Sequence, residues 1–324
     1  MMIDQNDFCA AYERIKDDIV RTPLEYSGPL SRLCGARVFV KWETDQITGS
    51  FKFRGALNKI RGLSAAEKRA GLIAASTGNH GLGVVRAAAL EKAGVIIYLP
   101  RTAAPAKIAK LREAGAVVEI RGSTCERAEI AARRDSVRSG KVYISPYNDI
   151  DVVAGQGTIG LEILEDCPAA TDVFVPVGGG GLIAGIAAAI KVRRSDVRIV
   201  GVEPAASAFM KASLRAGKIV SINEGPTAAD AVAGGIEPGS VTLGFCREYV
   251  DEMKTVGEDR LKQALFLYGR WHHRLVEGAG GLALAACLKQ KRKDRNRTIV
   301  LIASGGNIDP LRWSRLTGLR PGKR

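Results

Sequence analysis

The chain has 324 residues and a formal charge of +14, with 48 Lys and Arg against 34 Asp and Glu. Its hydrophobic fraction of 46% is ordinary for a globular protein of one or two domains, and no run of about 18 apolar residues marks a membrane-spanning helix. The start, MMIDQNDFCAAYERIKDDIV, is acidic and amphipathic and lacks the basic-then-apolar order of an export signal, so a cytoplasmic protein is expected.

Along the chain, short β-branched runs alternate with helical patterns. Strands are expected at 36–43 (ARVFVKWE), 71–76 (GLIAAS), 94–100 (GVIIYLP), 116–122 (AVVEIRG) and 141–146 (KVYISP). Three more are expected at 171–178 (TDVFVPVG), 197–204 (VRIVGVEP) and 297–306 (RTIVLIASGG). Several are almost continuously apolar, as strands covered on both faces are. Helical spacing fills the intervals, for example in HGLGVVRAAALEKAG, TCERAEIAARRDSV and GLIAGIAAAIKVRR. Strand–helix alternation predicts an α/β fold with parallel sheets. Glycine-rich turns at 78–83 and 178–181 suggest two α/β units with ligand loops at strand ends.

Six cysteines are scattered singly with no CxxC pair, which argues against a disulfide framework or a metal centre. The densest basic run, KQKRKDRNR at 289–297, carries no interleaved aromatics, and reads as a solvated loop, not a nucleic-acid surface. His272 and His273 sit in a helical pattern and read as structural or surface residues.

PVGGGGLIAGIAAAI, from Pro176 to Ile190, is a strand end, four glycines and a helix start. Bare backbone N–H groups and the positive end of the helix dipole make Gly178, Gly179, Gly180 and Gly181 a phosphate cup. The segment does not fit the ATPase pattern GxxxxGK[ST]. It fits the dinucleotide pattern poorly, because Ala184 stands where the third glycine belongs. Glu203 is the candidate ribose partner that keeps a dinucleotide alternative open. In TGSFKFRGA, 48–56, Lys52 sits between two phenylalanines at a helix start. An amine in an apolar pocket loses basicity and becomes nucleophilic. Together with a phosphate cup it points to pyridoxal phosphate held as a Schiff base.

At this point the sequence resembles the serine/threonine dehydratases of the type II pyridoxal-phosphate fold, a tryptophan-synthase-β-like architecture. RTPL, TGSFKFRGA, STGNHGLGV, AGQGTIGLE, PVGGGGLIAG, GVEP, VEGAGGLALAA and SGGN follow in the family's order over roughly residues 8–310. ASTGNHG, VVAGQGTIGLEILED and ADAVAGGI look most like a hydroxyectoine-utilisation dehydratase within it. The resemblance implies a large cofactor domain from residues 1–48 and 147–324, a small inserted domain from 49–146, and a homodimer. It implies Lys52 as the cofactor-bearing catalytic lysine and Phe51 against the ring. Asn79 would bond the ring hydroxyl, Gly178 to Gly181 with Leu182 would hold the phosphate, and Ser304 would face the pyridine nitrogen. Ser76, Thr77, Asn79 and His80 would receive the substrate carboxylate. A β-hydroxy amino acid of L-threonine or L-serine type would lose water to give a 2-oxo acid and ammonia.

The chain departs from the pattern at Leu82, where glutamine is common, and at Ala231, where glycine follows the aspartate. Thr77 replaces the serine of racemase relatives. Phe209 replaces the aspartate that completes their divalent-cation site with Glu203, so no metal is expected.

Overall fold

The computed structural model describes residues 3–289 and 294–319. The chain opens with α1 (Gln5–Ile15), β1 (Leu24–Tyr26), α2 (Gly28–Cys34) and β2 (Arg37–Trp42). Next come α3 (Lys52–Gly62), α4 (Ala65–Ala70), β3 (Leu72–Ala75), α5 (Asn79–Leu90), β4 (Val95–Leu99), α6 (Pro105–Glu113), β5 (Val117–Ile120), α7 (Cys125–Ser139) and β6 (Val142–Tyr143). The remainder is α8 (Ile150–Asp166), β7 (Asp172–Pro176), α9 (Gly181–Lys191), β8 (Arg198–Pro204), α10 (Phe209–Ala216), α11 (Val241–Tyr249), β9 (Glu252–Val256), α12 (Glu258–His272), α13 (Gly278–Leu288), β10 (Thr298–Ala303) and α14 (Pro310–Thr317).

The strands form two sheets. One has the order β1-β2-β10-β7-β8-β9 and the other β5-β4-β3-β6. Among the described strands only the β1–β2 pairing is antiparallel; β2–β10, β10–β7, β7–β8 and β8–β9 are parallel, as are all pairings of the smaller sheet. The parallel α/β architecture expected from the alternation is therefore present, and all eight expected strands form. The run at 141–146 contributes only Val142–Tyr143 to a strand. Beyond it the Ser145 hydroxyl accepts from the N–H groups of Tyr147 and Asn148 and turns the chain away from the sheet. Strands β1 and β9, absent from the sequence reading, are the two edges of the larger sheet.

The sheets are joined by a buried charge cluster. The Arg54 guanidinium donates from Nε and Nη2 to Glu43, both at 2.9 Å, and from Nη1 to Glu162 at 2.6 Å. Lys41 reaches Glu162 at 2.6 Å and the Thr22 carbonyl at 2.6 Å. All four charged side chains are fully buried, and two positive groups face two negative ones. Burial of charge is tolerable only with such full pairing. The cluster fastens α3, which leads into the smaller sheet, to β2 and α8.

His272 ends α12 with its ring nitrogens 3.0 Å from Glu25 and 2.9 Å from Ser27, and His273 lies just past the helix at φ 53°. His272 is thus structural. Of the basic run, residues 290–293 lie outside the described residues, and Arg297 is paired with Asp172.

Candidate active site

The functional loops gather at the carboxyl ends of β3, β7 and β10, where parallel sheets present ligand sites. They enclose a cavity of ≈ 1020 Å³.

Lys52 is the first residue of α3. Two contacts fix that helix start: a bridge between Ser50 and Gly305, and the Phe51 N–H donating to the Ser304 carbonyl at 3.2 Å. The Lys52 Nζ donates to the Pro146 carbonyl at 2.8 Å and lies 5.1 Å from the centre of the Phe51 ring. Burial pushes the ammonium down to about 8, against an upward pull from Glu277. The sequence expectation of an amine with lowered basicity thus has a physical cause.

Gly178, Gly179, Gly180 and Gly181 curve along the wall with Leu182. Among the described residues no group accepts from the N–H of Gly178, Gly179 or Gly180. Gly180 adopts φ 90°, a conformation that favours glycine, and Gly181 begins the eleven-residue α9. A Cβ at Gly179 would stand 2.4 Å from the Tyr147 ring. The result is a concave row of unspent donors at a helix N-terminus.

Ser76 and Thr77 follow β3, and Asn79 and His80 begin α5; all four line the cavity. The Ser76 hydroxyl accepts from the Gly78 N–H at 3.1 Å. His80 is only 4% exposed, and its Nε2–H donates to the Ile144 carbonyl at 2.8 Å. Burial and the neighbouring Lys52 push it down to about 3, so the ring is a neutral imidazole at ordinary pH. Ser304 follows β10 on the cavity wall, as do Leu82, Asp230 and Ala231. Asp230 pairs with Arg312 at 2.7 Å.

Three residues were not singled out from sequence. Glu277 accepts from the Asn79 amide at 2.6 Å, and burial pushes its carboxyl up to about 7. Asn307 donates to the Asn79 side-chain oxygen at 2.8 Å and to the Thr48 carbonyl at 2.7 Å. Asn79 is thereby held from both ends of its amide. Tyr147 covers the glycine row.

Glu203 is not at the cavity. Its carboxylate accepts from the N–H groups of Met210 and Lys211, at 2.7 and 2.9 Å, at the start of α10. The ribose role considered for it fails on position. Burial pushes this carboxyl up to about 7, well above its ordinary 4.5. A raised folded value means its contribution to stability is full below pH 4.5 and is lost as pH rises through 7. Glu203→Gln is expected to flatten that fall, by about 2–3 kcal/mol between the two limits. Denaturant unfolding at a series of pH values checks this; identical slopes for the two proteins would refute it.

The family described as pyridoxal-phosphate dependent enzyme matches residues 15–305. The chain belongs to the pyridoxal-phosphate dependent enzymes. Among curated relatives, the L-threonine ammonia-lyase of Thermotoga maritima is 42% identical over 308 residues, covering 95% of this chain and 76% of that one. The catabolic L-threonine dehydratase TdcB of Escherichia coli K12 is 39% identical over 315 residues, covering 97% and 95%. Among solved structures, maize serine racemase superposes with a TM-score of 0.91 at 31% identity, covering 97% of both chains.

As expected of a pyridoxal-phosphate dependent enzyme, the cavity suits the cofactor chemically. Unspent N–H donors match a phosphate, and a weakly basic buried amine matches an aldehyde. Gly179→Ala is expected to weaken pyridoxal phosphate binding at least tenfold, because the added methyl group forces the glycine row off Tyr147. Titration of the cofactor-free protein, followed by absorbance, tests this; unchanged affinity would show that the row has slack.

Proposed function

We propose that the protein removes water from a β-hydroxy amino acid of L-threonine or L-serine type, yielding a 2-oxo acid and ammonia. The observation that carries this reading is Lys52: a buried amine of lowered basicity, beside the Phe51 ring and facing an unspent glycine row. The dehydratase and ammonia-lyase names of relatives 39–42% identical over most of the chain support it.

When bound, pyridoxal phosphate supplies an aldehyde that joins an amine and a ring that withdraws electrons from the substrate Cα. Lys52 would hold the cofactor, and its neutral amine would take the substrate Cα proton. Gly178 to Gly181, with the Leu182 backbone, would hold the phosphate, Phe51 would pack on the ring, and Asn79, fixed by Glu277 and Asn307, would bond the ring hydroxyl. Ser76, Thr77, Asn79 and His80 receive the substrate carboxylate at the α5 N-terminus. Neutral His80 shapes this loop through its bond to Ile144 and does not act as an acid. Ser304, on the cavity wall, would face the pyridine nitrogen. A neutral hydroxyl there cannot keep the nitrogen protonated as a carboxylate would, which favours prompt loss of a β leaving group over long-lived negative charge at Cα.

In this reading residues 1–48 and 147–324 form the cofactor domain and 49–146 the inserted domain, with the reaction in the cleft between them. The two separate sheets support that division. The protein acts in the cytoplasm as a homodimer. A dehydratase of hydroxyectoine or a derived amino acid is the second reading; Leu82, an apolar side chain on the cavity wall where glutamine is common in the family, favours it.

The experiment is a substrate panel on the purified holoenzyme: L-threonine, L-serine, 3-hydroxyaspartate and hydroxyectoine, with 2-oxo acid release and the visible spectrum followed together. Product from L-threonine or L-serine supports the first reading, and from hydroxyectoine alone the second. A protein that stays colourless with added pyridoxal phosphate sinks both.

A further inference from the structure

Cys34 closes α2 and Cys287 is the penultimate residue of α13. They stand 253 positions apart in sequence, yet their sulfurs lie 3.4 Å apart, with the Cys287 thiol donating to Cys34. Cys287 is 2% exposed and Cys34 is only partly buried, so the pair opens toward solvent on the Cys34 side. That hydrogen bond lowers the Cys34 thiol below its ordinary value, against the effect of burial, and raises Cys287 well above it. The pair is therefore asymmetric, with an attacking sulfur outside and a resolving sulfur inside.

We propose that Cys34 and Cys287 form a reversible redox site, converted from dithiol to disulfide by a small-molecule disulfide such as glutathione disulfide. The Cys34 thiolate attacks one sulfur of the reagent and releases its first thiolate. The Cys287 sulfur, giving up its proton to solvent base, attacks Cys34 in the mixed disulfide and releases the second. Two protein thiols lose two electrons in total, and the reagent becomes two thiols.

The bond needs the sulfurs to close from 3.4 Å to about 2.05 Å. Helix α13 cannot supply that movement: Gly278 to Cys287 are all buried. Helix α2 can. It has seven residues, exposes Leu33, and ends in Gly35 at φ 65°. The shift therefore falls on α2, which contributes nothing to the cavity lining. Oxidation acts as a staple and not as a catalytic switch. It ties the segment between β1 and β2 to the helix before β10, closing a loop that contains the whole smaller sheet, and long loops are where a cross-link constrains the unfolded chain most.

The test treats the holoenzyme with glutathione disulfide, traps remaining thiols with iodoacetamide, and maps peptides. A Cys34–Cys287 linked pair that dithiothreitol reverses is expected, with a thermal midpoint raised by roughly 5 °C or more and turnover within twofold of the reduced enzyme. Cys34→Ser is expected to abolish the linkage and the shift; Cys287→Ala is expected to stop at a glutathione adduct on Cys34. The proposal is overturned if the wild-type protein itself stops at that adduct, if Cys34 links elsewhere, or if the midpoint does not rise.

Discussion

Lys52→Ala is expected to lower turnover at least 10³-fold while leaving the fold intact. In the proposed reading the loss combines two roles of one amine, holding the cofactor and moving the Cα proton. General base catalysis alone accounts for about 10²–10⁴-fold. The fold survives because the site disfavours the lysine ammonium: burial pushes it down to about 8, so removing it relieves a cost. The measurement is steady-state 2-oxo acid release beside thermal unfolding. Retention of more than a tenth of the activity would exclude Lys52 from the chemistry. Partial rescue by a small primary amine such as ethylamine is also expected, since the space left by the side chain opens on the cavity.

Arg54→Met is expected to be the most destabilising single change considered, at about 3–5 kcal/mol, because it strands the buried Glu43 carboxylate and leaves Glu162 with Lys41 alone. The double variant Arg54→Met with Glu43→Met removes one charge of each sign and leaves Lys41 paired with Glu162. It is expected to be more stable than Arg54→Met alone, an inversion of simple additivity. Urea unfolding of the two variants decides the matter, and a double variant weaker than the single one would refute the pairing argument. Activity is expected to fall with stability in Arg54→Met, since the cluster anchors the helix whose first residue is Lys52.

The parallel fold was readable because its central strands are covered on both faces and therefore nearly free of polar residues, as TIVLIA in β10 shows. Strand β9, EMKTV, escaped because an edge strand keeps only Val256 buried and carries ordinary surface residues elsewhere. Strand β1 escaped because three residues, none of them buried, carry no period. In the site, Lys52 and the four glycines stood out as residue types at odds with their setting. Glu277 did not: in VEGAGG it resembles any helix-start glutamate, and only its position opposite Asn79 reveals it. Tyr147 looked like part of a turn. Lys41 is fully buried although VFVKWE gives no sign that a cation is sealed inside. Such partners come from other elements of the fold, in the case of Glu277 and Asn79 198 positions apart, and spacing along the chain carries no record of them.

Strand β10 lies between β2 and β7, paired with residues 37–42 on one side and 172–174 on the other. The strand at the heart of the larger sheet is thus the last of the described strands to be synthesised. Until residue 303 leaves the ribosome, β2 and β7 present open edges to one another across a gap, while the smaller sheet, drawn wholly from residues 72–143, already has all its strands. The smaller sheet can therefore assemble before the larger one is complete. Because Ser304 and Gly305 follow β10 directly and brace Phe51 and Ser50, the cavity wall is completed only once residue 305 has been added.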